Sequence, residues 1–393
     1  MEEENILETS PVRESWFEDN PKKTSLVLFL ISVMILEVLL RLFFPPHLLD
    51  KKYIVASELY FKNYLSDIEF ITYPSKFDNF KPVINKINSI GIRGPELQKK
   101  TSYRVLNIGD SFVQADEVSF EDTFGEKLNR SNLNIEFISH GIEGWAPTPE
   151  FSWIYHNVGQ IKYDEVNLFL CVNDFFRKSD YLSVDEVYRA YANYSENGIP
   201  ISYNVASSER TIRDIAREFY IYKLMSLAKS KVRGASSKSS IRKDKVNVPD
   251  EIIMLSHSSE AWDDELRINV LETLDVVRKI AVFLKDKNIK LNVLFVPLGL
   301  AWEDEFTAGK QSLSTDWEKT KVISQEGIER FTREFLQDHE ITYIELSKEF
   351  HSFKNENKNV SLFYDMDGHW TQNGHFLVHK ILNNHYDNIK TGP

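Results

Sequence analysis

An apolar segment near the start of the chain constrains the fold more than any other feature. Thr24–Phe44 reads TSLVLFLISVMILEVLLRLFF, and a helix of this length rises about 30 Å, which is enough to cross the hydrocarbon core of a bilayer. Its charged residues, Glu37 and Arg41, are four positions apart, so they share a helix face and can pair near the end of the span. The following residues, FFPPHLLD, contain no small-residue cleavage pattern of a signal peptide. We therefore predict an uncleaved, single-pass transmembrane helix, preceded by a tail of residues 1–23.

Lysines near the span bear on its orientation. Lys22 and Lys23 lie directly before it, whereas Lys51 and Lys52 follow at a greater distance. Because basic residues next to a span favour the cytoplasmic side, this asymmetry favours a cytoplasmic tail. We expect the larger part of the chain on the extracytoplasmic side, in the periplasm or outside the cell.

Composition limits what that larger part can do. The 393 residues are 42% hydrophobic and 27% charged, which is ordinary for a folded protein. The formal net charge of −12 argues against general affinity for nucleic acid. Cys171 is the sole cysteine, so neither an internal disulfide nor a cysteine metal cluster can form.

The hydrophobic pattern divides the remaining chain into regions. Residues 45–100 mix aromatic and charged residues without clear periodicity, and we predict a juxtamembrane region there. From 101 to 390, short apolar runs alternate with helical patterns, which is typical of a parallel sheet covered by helices on both faces. Such a sheet places its ligand site at the carboxyl ends of its strands. The predicted strands are Tyr103–Ile108, Ile135–Ser139, Glu165–Val172, Leu291–Pro297 and Ile341–Leu346. The predicted helices are Glu121–Arg130, one from about Pro149, Asp263–Lys287, Asp316–Gln337 and one after Thr371.

An insertion at about 178–260 interrupts this alternation. It contains an amphipathic helical pattern, Glu209–Leu227, and then a Ser/Lys/Arg-rich run at 229–245, KSKVRGASSKSSIRKDK. Such a run is typical of a solvated loop. The alternative is a basic surface that meets anionic lipid or an anionic glycan.

Polar residues and glycines follow the first three predicted strands. Ser111 ends a Gly-Asp-Ser turn after the first strand, Gly144 lies in HGIEG after the second, and Asn173 lies in CVND after the third. His369 lies in DMDGHW, before the last predicted helix. Each of these elements alone is typical of an ordinary turn or strand end. Because all four fall at one rim, we predict a site in which a histidine, oriented by a carboxylate, activates a serine.

These segments resemble a known family. VLNIGDSF, HGIEG, VND and DGHWTQNGH are similar, in order and spacing, to the four motif blocks of the SGNH/GDSL hydrolase superfamily, over about Asn88–His385. The resemblance implies a flavodoxin-like three-layer α/β/α domain with a five-stranded parallel sheet. It also implies that Ser111 is the nucleophile and His369 the general base. The N–H groups of Ser111 and Gly144 and the side chain of Asn173 would form the oxyanion hole.

The chain departs from the family pattern at two positions. The family usually has Gly two residues before the Asn, where this chain has Cys171. Its commonest pattern has Asp three residues before the His, where this chain has Met366. Asp367 matches the Asp-x-His variant of polysaccharide O-acetyltransferase-like members, so we predict that Asp367 orients His369. Asp365 is the second candidate.

The sequence argues against a metal site, a nucleotide-binding loop and a GxSxG nucleophile elbow. His369, His375 and His379 lie close in sequence, but HFLVH lacks the Glu of a zinc-hydrolase helix, and we expect no metal. GDSFVQAD is neither a P-loop nor a GxGxxG loop, and no GxSxG elbow surrounds the serine, so no cofactor is implied. Tryptophans near the rim could line the substrate site or pack in the core: Trp145, Trp302 and Trp370.

The sequence therefore predicts a membrane-anchored serine esterase whose substrate carries an ester. The same groups would serve an O-acetyl esterase or an O-acyltransferase, and an outward-facing domain suits a cell-surface glycan as the substrate. The alternative is a membrane-tethered carbohydrate-binding or assembly protein that keeps the fold and has lost turnover.

Overall fold

A computed structural model describes residues 19–43, 53–72, 82–131, 134–175, 181–184, 188–207, 219–222, 225, 255, 258–298, 325–364 and 368–391. The chain divides into two units. One comprises Met1–Asp50 and Arg210–Ser239, and the other comprises Lys51–Glu209 and Ser240–Pro393.

The first unit contains the predicted span as helix α1, Pro21–Phe43, which is long and apolar enough to cross a membrane. Glu37 is buried within this unit, and its carboxylate accepts a hydrogen bond from Arg41 Nε at 2.9 Å. The same carboxylate accepts hydrogen bonds from the backbone N–H groups of Tyr220, at 2.9 Å, and Ile221, at 3.2 Å. Of the predicted helix Glu209–Leu227, the structure describes residues 219–222 and 225, and residues 220–222 are helical. The carboxylate of Glu37 thus has hydrogen-bond donors within the protein, which offset the cost of burying its charge.

The second unit is built on a five-stranded parallel sheet. Its strands are β5 (Tyr103–Gly109), β6 (Ile135–Gly141), β7 (Glu165–Leu170), β11 (Lys290–Phe295) and β12 (Thr342–Ile344). They lie in the order β12-β11-β7-β5-β6, which is the 2-1-3-4-5 arrangement of a flavodoxin-like fold. The predicted fold class and its five strands are confirmed, with strand ends shifted by up to two residues.

Alternate residues of the strands pack on opposite faces of the sheet, which explains their nearly continuous apolar sequences. Leu106, Leu168 and Val293 lie in one core, whereas Val105 and Phe169 lie in the other. The first core is covered by α4 (Pro147–Ile161), α5 (Asp264–Lys285) and α6 (Glu326–Asp338). The second core is covered by α3 (Phe124–Asn129), α7 (Ser347–Glu356) and α8 (Gln372–Thr391). The domain therefore has three layers, α/β/α.

Two antiparallel strand pairs precede the sheet in sequence: β1 (Ile54–Ser57) with β2 (Phe61–Tyr64), and β3 (Ile68–Thr72) with β4 (Val83–Ile87). The sequence pattern predicts no strands here. Phe61, Tyr64 and Phe70 are buried in the same core as the sheet residues. The indole N–H of Trp145 also donates to the carbonyl of Lys62, at 3.2 Å. These pairs are therefore part of the α/β unit.

The insertion at about 178–260 contributes a second small sheet. Strand β9 (Tyr188–Tyr194) pairs antiparallel with β8 (Tyr181–Val184) on one side and with β10 (Pro200–Ser207) on the other. Tyr203 of β10 is buried and donates its N–H to the carbonyl of Glu58, at 2.6 Å. The basic run at 229–245 lies outside the described residues.

Candidate active site

Ser111 begins a four-residue helix, α2 (Ser111–Gln114), at the carboxyl end of β5, the strand between β7 and the edge strand β6. The turn into this helix is held by Asp110, whose Oδ1 accepts a hydrogen bond from Phe112 N at 3.0 Å. A side chain at Gly141 would place its Cβ under 3.0 Å from backbone atoms of Asp110 and Gln114. The glycine at the end of β6 thus allows the neighbouring strand to approach the turn that presents Ser111.

His369 is brought to this turn from the other end of the chain. Its Nε2 lies 2.7 Å from Ser111 Oγ, although the two residues are 258 positions apart. A bridge between Phe363 and Trp370 closes the loop that carries the histidine. Within it, Tyr364 N donates to the carbonyl of His369 at 2.9 Å. The distance between the imidazole and the hydroxyl is that expected of a nucleophile and its general base.

Asn173 and Gly144 lie at the same edge of the sheet. The side-chain amide of Asn173, in a 3₁₀ turn after β7, donates to Asp110 Oδ2 at 3.2 Å, which places it beside the turn of Ser111. Gly144 follows β6, the strand paired with β5, and has φ +67° in a turn closed by Trp145 N and Ile142 O. An L-residue with a side chain would be strained at that φ, so the turn favours glycine.

The acid predicted to orient His369 cannot be placed, because Asp365 and Asp367 lie outside the described residues. A different carboxylate is close. Glu117 Oε1 lies 3.7 Å from Nδ1 of His369, the ring nitrogen that does not face Ser111. Glu117 is not among the residues predicted from the sequence. The sequence signal that could have identified it is an acidic residue six positions after the serine.

A buried acid, Glu150, lies close enough to Asp110, the residue before Ser111, for their charges to interact. Glu150, in the first turn of α4, is fully buried, and burial raises its pKa well above the usual range. The nearby carboxyl groups of Asp174 and Asp110 raise it further. Both effects favour the protonated, uncharged form of Glu150.

Two of the three tryptophans, Trp145 and Trp370, are buried in the core. Trp145 is 0% exposed and Trp370 is 1% exposed. Trp370 packs against the ring of Phe112, at 5.0 Å between centroids, and so supports the site from within the core. Both side chains pack in the hydrophobic cores between the helices and the sheet. Trp302 lies outside the described residues.

The other histidines of the C-terminal motif have different surroundings. His375 is buried and stacks on Phe124, and burial lowers its pKa to about 3. His379 Nε2 lies 3.0 Å from Ser131 Oγ. Across the described residues, no group of three His, Cys, Asp or Glu side chains is arranged to hold a metal.

Cys171, at the position that the family usually fills with Gly, is also buried. Burial raises the pKa of its thiol well above the usual range, so it remains a neutral thiol. Its backbone N–H donates to Asp174 Oδ2 at 2.8 Å. Its carbonyl accepts from Asp174 N at 3.0 Å, so Cys171 belongs to the turn that carries Asn173.

An open groove of about 950 Å³ adjoins the site. Glu117 and Tyr364 line it, and both also contact His369, the first through its carboxylate and the second through its backbone N–H. Apolar and charged residues form the rest of its wall, among them Ile84, Lys86 and Glu121.

No family model matches the chain, and no curated protein matches it. Similar solved structures include a member of the lipolytic protein G-D-S-L family from Veillonella parvula, at 10% identity and TM-score 0.35, covering 72% of this chain and 97% of that one. A GDSL-like lipase from Bacteroides thetaiotaomicron is 9% identical, at TM-score 0.34, over 73% of this chain and 88% of its own. An acetylxylan esterase from Geobacillus stearothermophilus is 10% identical, at TM-score 0.36, and the match covers 72% of this chain and 94% of that one.

Proposed function

We propose that this chain is a membrane-anchored serine esterase of SGNH type. The distance of 2.7 Å between Ser111 Oγ and His369 Nε2 carries the proposal, because a serine hydroxyl needs a base in hydrogen-bond contact to become a nucleophile. The position of Asn173 beside the same turn supports it.

The proposed reaction has two half-reactions. Ser111 Oγ attacks the ester carbonyl and forms a bond to carbon, while its proton passes to His369 Nε2. The N–H groups of Ser111 and Gly144 and the amide of Asn173 stabilise the oxyanion, each donor contributing about 3 kcal/mol. The bond from carbon to the alcohol oxygen then breaks, and the imidazolium protonates the departing alcohol.

The acyl group of the resulting acyl-enzyme passes to an oxygen acceptor. If the acceptor is water, His369 removes its proton and the acid is released, which is ester hydrolysis. If the acceptor is a sugar hydroxyl, the same proton transfer yields an acylated sugar. We propose an O-acetyl ester of a glycan as the substrate, with the sugar in the groove next to Glu117 and Tyr364.

The predicted span supports a location at the cell surface. Helix α1 would hold the domain at the membrane, and the lysines before it favour the extracytoplasmic side. A hydrolase held there would meet the glycans of the cell envelope.

The test is release of acetate from an activated acetyl ester by the full chain in a mild detergent. We expect Ser111→Ala and His369→Ala to lower kcat/KM by about two to four orders of magnitude. Ser89→Ala and His339→Ala, which change exposed residues, serve as controls. If the wild type and all four variants fold and are equally inactive on activated and glycan esters, the proposal fails. The non-catalytic binding protein then becomes the better explanation.

A further inference from the structure

We propose that Glu117 positions His369 and stabilises its charged form during the reaction. This inference rests on the proposed function. Glu117 Oε1 lies 3.7 Å from Nδ1 of the imidazole, while Nε2 of the same ring faces Ser111. A carboxylate on that side of the ring favours the tautomer in which Nδ1 carries the proton and Nε2 accepts one from serine.

The surroundings of the pair favour a strong interaction. The side chains of Glu117 and His369 are 18% and 21% exposed, so water screens them only in part. The separation exceeds a hydrogen-bond length, and catalytic contacts of this kind often tighten only when substrate binds. In the resembling family the acid usually precedes the histidine by three positions, and this chain has Met366 there.

Glu117 lies in a loop of residues 114–118. Side chains from elsewhere in the chain donate hydrogen bonds to all five backbone carbonyls of this loop. The buried guanidinium of Arg93 donates to Ala115 O and Val118 O, both at 2.6 Å, and to Gln114 O at 3.4 Å. Two further donors complete the series: Asn85 to Asp116 O at 3.3 Å and the hydroxyl of Tyr364 to Glu117 O at 3.1 Å. Five consecutive carbonyls are thus fixed by residues distant in sequence.

The acid next to Glu117 points into the core. Both carboxylate oxygens of Asp116 accept hydrogen bonds, from the hydroxyl of Tyr64 at 2.8 Å and from Gln114 Nε2 at 2.6 Å. This inward anchor and the fixed carbonyls determine the direction of the backbone at Glu117. The loop therefore holds the carboxylate near the imidazole before any substrate binds, which is the function expected of a positioning residue.

The test compares Glu117→Gln with Glu117→Asp and with the control Glu272→Gln. Glu272 is an exposed acid on helix α5 that lines neither the site nor the groove. For the full chain acting on an activated acetyl ester, we expect Glu117→Gln to lower kcat by about 10-fold to 100-fold, part of the roughly 10²-fold to 10⁴-fold effect of a positioned base. KM should change by less than about twofold, since the carboxylate acts on the histidine and not on the ester. Glu117→Asp should recover part of the loss, and Glu272→Gln should show no loss.

The pH profile separates this role from a purely structural one. Removing a negative charge beside the ring makes the imidazolium less stable, so the acidic limb of the kcat profile should move to lower pH in Glu117→Gln. Nuclear magnetic resonance of histidine-labelled full chain should show the same shift in the titration of His369, whether or not the enzyme turns over.

Failure of this inference is distinguishable from failure of the proposed function. If Ser111→Ala is inactive while Glu117→Gln keeps its rate and its histidine titration, the esterase proposal stands and the role of Glu117 is refuted. The same conclusion follows if Asp367→Asn alone moves the titration. If the wild type has no activity, the magnetic resonance titration of His369 still tests the role of Glu117. A pKa of His369 that is the same in the wild type and in Glu117→Gln refutes that role.

Discussion

The side-chain amide of Asn173 donates a hydrogen bond of 3.2 Å to the carboxylate of Asp110, the residue directly before Ser111. The proposed oxyanion donor and the proposed nucleophile are therefore joined through a single side chain. Asp110 also caps the helix that begins with the serine. One carboxylate thus sets the positions of two groups that must act on the same carbonyl.

Replacing Asn173 tests the oxyanion role. We expect Asn173→Ala to lower kcat by about 10²-fold to 10³-fold with little change in KM, because the donor acts on charge that develops in the transition state. Asn173→Asp should be at least as damaging, since it places a negative charge next to the oxyanion and next to Asp110. Steady-state kinetics on the activated ester measures both. A kcat within about threefold of the wild type in Asn173→Ala would remove this residue from the mechanism.

Replacing Gly141 tests the close approach of β6 to the nucleophile turn. Gly141→Ala should lower the free energy of unfolding by about 1–3 kcal/mol and also lower kcat, because the new Cβ would overlap the backbone of Asp110 and Gln114. Gly159→Ala is the matched control, since Gly159 lies in helix α4 and a Cβ added there would meet no atom within 4 Å. We expect that variant to gain about 0.4–1 kcal/mol and to keep its activity. Thermal unfolding and kinetics on the same samples provide the comparison.

Asp116 should make stability depend on pH. Burial raises the pKa of this carboxyl from 3.8 to about 6, with Arg93 opposing the shift. The folded state therefore binds a proton more tightly than the unfolded state. The resulting stabilisation is complete below about pH 4 and is lost as the pH rises through about 6.

Asp116→Asn removes this dependence. Relative to the wild type, the variant should gain about 2–3 kcal/mol in free energy of unfolding between pH 4 and pH 7. Chemical denaturation at both pH values measures the difference, and Asp286→Asn, a change at an exposed helix end, is the control. Parallel pH dependence in the wild type and Asp116→Asn would contradict the prediction.

Glu37 should order the residues that it contacts in the first unit. Glu37→Ala removes the acceptor of the N–H groups of Tyr220 and Ile221, so amide exchange at these two positions should become faster. Hydrogen-exchange mass spectrometry of the full chain in detergent or in nanodiscs reports the change. Ser32→Ala, on the same helix, removes only a bond to Leu28 O and should leave that exchange unaltered.

The five-stranded sheet could be predicted from sequence because each strand is nearly continuous in apolar residues, which is a local signal. The Ser111–His369 pair could be predicted because both motifs are short and contiguous. The strands from 54 to 87 could not, because their residues become core residues only when packed against the sheet. Glu117 was missed for a related reason: its contact with His369 depends on a loop closed by residues 363–370, far away in sequence. The same dependence on packing decides that Trp145 and Trp370 are core residues.

The separation of 258 positions between Ser111 and His369 has a consequence for biosynthesis. The histidine precedes the last helix, α8, which packs against the sheet in the second core. In a growing chain Ser111 therefore has no imidazole partner until residue 369 has been synthesised, and closing so long a loop carries an entropic cost that the packed native state offsets. The contact between Ser111 and His369 therefore forms only when the residues between them have folded, so the proposed esterase activity would report that stage of folding.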